Sequence, residues 1–147
     1  MTGRSSIYLV SCVGKKLPTP APAKDLYGSP WFKKARIYVE SRNADWFILS
    51  AMYGVVHPEQ VIEPYELTLN RMAKPDRKEW ATSVFEQLLP HLSPNRSVTI
   101  LAGQKYREFL EGWLRNESEK VLVPMEKLGI GQQLKWLTDA YSKNSSP

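Results

Sequence analysis

Four short apolar runs, Ile7 to Val10, Trp46 to Leu49, Val98 to Leu101 and Val121 to Val123, stand out from a polar background. They lack strict period-two alternation, so they read as strands buried on both faces, the pattern of a parallel sheet covered by helices. Between them the spacing becomes helical. One helix starts near Pro30, a first-turn proline after a Ser29 cap, and turns Trp31, Ala35, Tyr38 and Val39 to the core. A second runs from about Asp76 and ends before Pro94, repeating Trp80, Val84 and Leu88 with Ala81, Phe85 and Leu89 alongside. A third, after Gly103, places Tyr106, Phe109, Leu110, Trp113 and Leu114 on one face and leaves Lys105, Arg107, Glu108 and Arg115 to solvent. The last, from about Gly131, buries Leu134, Leu137 and Tyr141, before a polar tail over 142–147 that is expected to fray.

Strands alternating with helices predict an α/β fold: a single three-layer domain over 1–147, with a mostly parallel sheet flanked by helices and right-handed crossovers. In such sheets ligands bind beyond the carboxyl ends of the strands. The rim therefore draws on 11–16, 50–54, 102–106 and 124–131. It also takes in the long segment Ser50 to Asn70, which follows the second strand, carries Tyr53, Gly54, His57, Glu63, Tyr65 and Glu66, and is punctuated by Pro58 and Pro64. A loop of that length inside a domain is usually functional or disordered. Its own apolar residues, among them Val55, Val56, Ile62 and Leu69, predict that it is ordered against the sheet.

Charge and cysteine usage narrow the partners. Lys and Arg number 20 against 15 Asp and Glu, a formal charge of +5, which favours anionic partners. The single Cys12 excludes an internal disulfide and a multi-cysteine zinc site, and fits a reducing compartment. No apolar stretch has membrane-spanning length and the first residues lack a signal-peptide core, so a cytoplasmic protein without a membrane partner is expected, with a monomer favoured. No GxxxxGK[ST] motif is present, which disfavours ATP or GTP hydrolysis.

Three segments together resemble a known family. They are Ser11-Cys12-x-x-Lys15-Lys16 leading to Ala21-Pro22-Ala23-Lys24-Asp25-Leu26-Tyr27, then Leu49-Ser50-Ala51-Met52-Tyr53-Gly54-Val55-Val56-x-Pro58 with Glu63-Pro64-Tyr65-x-Leu67, then Leu101-Ala102-Gly103-x-x-Tyr106. This order is similar to that of the YaaA-like peroxide-stress proteins and the smaller bacterial and phage domains sharing their core. The chain is shorter and has no clear helix-hairpin-helix segment, so DNA binding does not carry over directly. The resemblance implies a connection to nucleobases, through base-modification and base-excision systems including phage defence.

Under that implication the candidate residues acquire roles. Cleavage of a bond to a base develops oxocarbenium character on the sugar, which a carboxylate can stabilise while water attacks. Asp25, among Lys15, Lys16 and Lys24, and Glu63, held extended by Pro64, are the catalytic candidates, and either Glu63 or Glu66 could serve as general base or bind a base edge; the alternatives are an Asx turn or helix-proximal surface charge for Asp25 and solvated loop acids for Glu63 and, as the favoured reading, Glu66. Lys15, Lys16 and Lys24 would meet phosphate, as would backbone amides beginning at Gly103. Tyr27, Tyr53, Tyr65 and Tyr106 offer rings for a base, with core packing the alternative for Tyr106. Ser11 and Cys12 end the first strand and Ser50 and Gly54 follow the second, so all four join the substrate-binding set. No metal or cofactor is called for. The expected activity is that of a DNA glycosylase-like hydrolase on a modified base. The alternatives are a non-catalytic nucleic-acid-binding stress protein and an enzyme of free nucleosides or nucleotides.

Overall fold

The structure, a computed structural model, describes residues 6–11, 14 and 16–144. Cys12 and Lys15 lie outside the described residues. The apolar runs form β1 (Ser6–Ser11), β3 (Asp45–Ser50), β6 (Ser97–Leu101) and β7 (Lys120–Leu122), with β2 (Ala21–Pro22), β4 (Gly54–Val56) and β5 (Val61–Ile62) as shorter additions. The main sheet has the order β4-β3-β1-β6-β7. Its pairs β3-β1, β1-β6 and β6-β7 are parallel and β4 is antiparallel to β3. The core is an α/β sheet flanked by helices, as the alternation predicts.

The helices are α1 (Ala23–Leu26), α2 (Pro30–Ser41), α3 (Lys74–Leu88), α4 (Gln104–Arg107), α5 (Leu110–Glu117) and α6 (Ile130–Asn144). Ser29 caps α2, its hydroxyl accepting from the Phe32 amide, with Pro30 in the first turn. Asn43, at φ 54°, lets the chain leave this helix for β3. α2 packs on β1 and α6; α3 packs on β4 and α5, and α5 on β7. None of the helices among the described residues is long and apolar enough to cross a membrane.

Several local expectations change. Phe32, not Trp31, enters the core, where it lies with the buried Ala35 and Val39 and packs against the Tyr27 and Trp46 rings; Trp31 is half-buried and donates to Gln133 Oε1 at 2.8 Å. The pattern after Gly103 breaks into α4 and α5, and Arg107 turns inward where solvent exposure was expected. Its guanidinium is satisfied there by the Ala102 carbonyl at 2.9 Å and the Glu111 carboxylate at 2.5 Å. The tail expected to fray from 142 is helical as far as Asn144, with no helix breaker before Pro147.

The segment after β3 is ordered. It turns at Gly54, pairs back along β3 as β4, and then pairs β5 with β2, so that Ala21 opposes Ile62. The N-terminus of α1 is tied to the same segment by the amides of Ala23 and Lys24, which donate to the carbonyls of Gln60 and Pro58 at 2.8 and 2.9 Å. A 3-10 turn at Leu69–Arg71, capped by Thr68, leads to α3. Gly54 has φ 75°, and a Cβ there would lie 2.4 Å from Gln87 Oε1, the atom that accepts from the Val55 amide at 3.0 Å. Gly54→Ala therefore combines left-handed strain with loss of that edge bond. It should destabilise the fold by roughly 1–3 kcal/mol in urea denaturation, against about 1 kcal/mol for Gln87→Ala.

Candidate functional site

Strand order reverses at β1, whose chain leaves towards β3 on one side while β6 pairs on the other, so the switch point lies beyond its carboxyl end. The segment following β1 meets the segment following β3 there. Lys16 forms an antiparallel bridge with Tyr27, and the Leu17 amide donates to the Leu26 carbonyl at 2.8 Å. These bonds hold Lys16 beside the Glu63-Pro64-Tyr65 stretch. A cleft of about 770 Å³ opens between the two segments, lined by Gly14, Lys16 and Leu17 on one wall and Tyr65, Glu66 and Arg71 on the other. That volume suits a small ligand or part of a larger one.

The floor is a buried hydroxyl network. Ser50, the last residue of β3, is fully buried, and its Oγ accepts from the amides of Met52 and Tyr53 at 3.2 and 3.0 Å. Its hydroxyl proton goes to Tyr65 Oη at 2.9 Å, and Tyr65 and Tyr27 share a hydroxyl hydrogen bond of 2.8 Å. Trp80 Nε1 donates to the Ser50 carbonyl at 2.9 Å. Tyr65 is thus held by its hydroxyl from inside, while one face of its ring meets the Lys16 ammonium, 4.4 Å from the ring centroid. Lys16 also lies 5.6 Å from the Tyr27 centroid and donates to the Gly14 carbonyl at 3.3 Å. Among the described residues neither Lys16 nor Arg71 has a carboxylate within ion-pair distance.

The structure brings together Lys16, Tyr27, Ser50 and Tyr65 of the expected set. Tyr53 packs edge-on against Tyr65 at 5.6 Å and lines an adjoining cleft of about 470 Å³ with Gly54, Met52 and Trp80. Ser11 is buried at the end of β1. Tyr106 lies in the core, edge-on to Trp80 at 5.4 Å, and Gly103 lines a separate cavity of about 190 Å³ with Arg107.

The two expected catalytic carboxylates are placed elsewhere. Asp25 accepts from Arg36 Nη1 at 2.7 Å on the exposed side of α1 and lines none of the clefts described here. Burial alone would lower the Arg36 pKa, but its bonds to Asp25 and Glu40 outweigh this and raise it. Lys24 pairs with Glu59 at 2.6 Å. Glu63 is exposed, and it is its backbone carbonyl that serves the site, accepting from Tyr53 Oη at 3.3 Å. In this extended stretch Ile62 and Tyr65 turn inward, which leaves Glu66 as the carboxylate on the cleft wall. Arg71 was not among the expected site residues, and Glu66, for which a solvated loop acid was the favoured reading, lines the cleft; the proline spacing pointed to the segment but not to the side each residue takes.

Ser50→Ala removes the acceptor of two amides and the donor to Tyr65. It should cost roughly 1–3 kcal/mol in chemical denaturation, whereas Ser50→Thr, keeping the hydroxyl, should recover part of the loss.

No curated protein and no solved structure shows significant similarity to the chain. A family model described as a family of unknown function, DUF6884, matches residues 7–139, so it takes in every strand, the cleft and the hydroxyl network, and the chain belongs to that family.

Proposed function

We propose that the protein hydrolyses the N-glycosidic bond between a nucleobase and its sugar, with a modified base in DNA as substrate, in a cytoplasmic role in DNA modification or phage defence. The observation that carries this reading is one cleft that joins a carboxylate, Glu66, two cations without carboxylate partners among the described residues, Lys16 and Arg71, and an anchored aromatic ring, Tyr65. The likeness of the Ser50 to Leu67 segment to YaaA-like proteins supports the nucleobase connection. Phosphate on either side of the target sugar would meet Lys16 and Arg71 through charge-assisted hydrogen bonds. Glu66 would stabilise positive charge on the sugar as the bond to the base breaks. The bonding pair leaves with the base, which takes up a proton. Water adds its oxygen to the sugar carbon and gives its proton to Glu66. Asp25 is committed to Arg36 and has no part in this step.

Purified protein incubated with modified and unmodified DNA, with mass spectrometry for free base, tests the reading. Wild type should release base, Glu66→Gln should lower the rate roughly a hundredfold, and Asp25→Asn should stay near wild type. Loss in Glu63→Gln with retention in Glu66→Gln would return the role to Glu63. Binding without release from any substrate would favour the non-catalytic binding protein; release from free nucleotides alone would favour a nucleotide hydrolase.

Contact with phosphate also sets the salt dependence. DNA binding should weaken steeply and almost equally for all unmodified sequences as salt rises, and Arg71→Gln should reduce the log–log salt slope by about 1. An unchanged slope would remove Arg71 from the phosphate contacts.

A further inference from the structure

Lys16 occupies an unusual position for a cation that is to meet phosphate. Its ammonium covers the face of the Tyr65 ring at 4.4 Å and reaches the Tyr27 ring at 5.6 Å, with the Gly14 carbonyl at 3.3 Å as its hydrogen-bond acceptor. Tyr65 cannot turn aside to expose another face, because Ser50 and Tyr27 hold its hydroxyl in the interior and Tyr53 packs edge-on against its ring. A flat ligand that is to stack on Tyr65 must therefore displace Lys16 from the ring.

Displacement costs the cation–π contact, worth roughly two- to thirtyfold in an equilibrium constant. A bare base or nucleoside offers the displaced ammonium no anion. A phosphorylated ligand does, and Arg71 lines the same cleft without a carboxylate partner among the described residues, so the two cations can share the phosphate.

We infer that Lys16 is a specificity-determining residue that makes the cleft select phosphorylated nucleotides over nucleosides: the ammonium shields the Tyr65 stacking face until a phosphate draws it away. This rests on the reading of the cleft as a nucleotide site, and it concerns binding, not bond cleavage. Lys16 acts through its side chain, while its bridge to Tyr27 is made by the backbone, so substitution leaves the local fold in place.

The test is calorimetric titration of the full chain with deoxyadenosine, deoxyadenosine 5′-monophosphate and inorganic phosphate, in wild type and Lys16→Ala, with thermal melts to establish that both are folded. Wild type should bind the monophosphate roughly tenfold or more tighter than the nucleoside, with phosphate alone binding weakly. Lys16→Ala should narrow that ratio to about threefold or less, and it should bind the nucleoside more tightly than wild type does, because no side chain at position 16 then has to be displaced from the ring. A merely structural lysine would not produce that gain. Equal loss of both ligands in Lys16→Ala, an unchanged ratio, or a wild type that binds neither ligand would overturn the inference. Base release from DNA in the separate assay is independent of these outcomes: selectivity without release would leave the inference standing and remove the glycosidase reading, and release without selectivity would do the reverse.

Discussion

The Ser50 hydroxyl is the constraint on which the site depends. It ends β3 at zero exposure, where a polar group is tolerated only if its hydrogen bonds are complete. Two amides of the following turn, Tyr65 Oη and the Trp80 indole bond to Ser50's hydroxyl or carbonyl, so one residue ties together β3, the turn into β4, the return of the chain at Tyr65 and helix α3. Tyr27 joins through Tyr65 and brings in the segment after β1. A chain that would otherwise be a long solvated loop becomes a wall with one defined ring orientation.

Electrostatics gives the cleft its character. Lys24, Arg36, Arg77, Arg96 and Arg107 each have a carboxylate partner. Such partly exposed pairs contribute little to stability, but they spend the charges involved. Lys16 and Arg71 are left in one cleft with Glu66, and an excess of positive charge beside an aromatic face is suited to an anion carrying a flat group. The net charge of +5 has the same sign as this preference.

Strands β1, β3 and β6 and most core positions of the helices were legible in the sequence because burial on both faces leaves uninterrupted apolar runs and helical burial leaves a 3.6-residue stripe; β7, at the sheet edge, buries only Val121, and Leu89 is exposed. The Ser29-Pro30 start of α2 was equally local, resting on a cap and a fixed φ. So was the order of the segment after β3, whose apolar residues needed something to pack against. What only the tertiary structure decided is which polar residues meet. Tyr27, Ser50 and Tyr65 are brought into contact by a strand order in which β1 lies between β3 and β6, and no local periodicity encodes that order. Asp25 looked like a site carboxylate because three lysines adjoin it in sequence, yet its partner is Arg36, one helix further on. Arg107 read as solvent-facing, but the Ala102 carbonyl and Glu111 make burial affordable. Backbone pattern is a property of neighbours along the chain; the pairing of charges and hydroxyls is a property of neighbours in space, and it emerges only once the sheet has closed over its core.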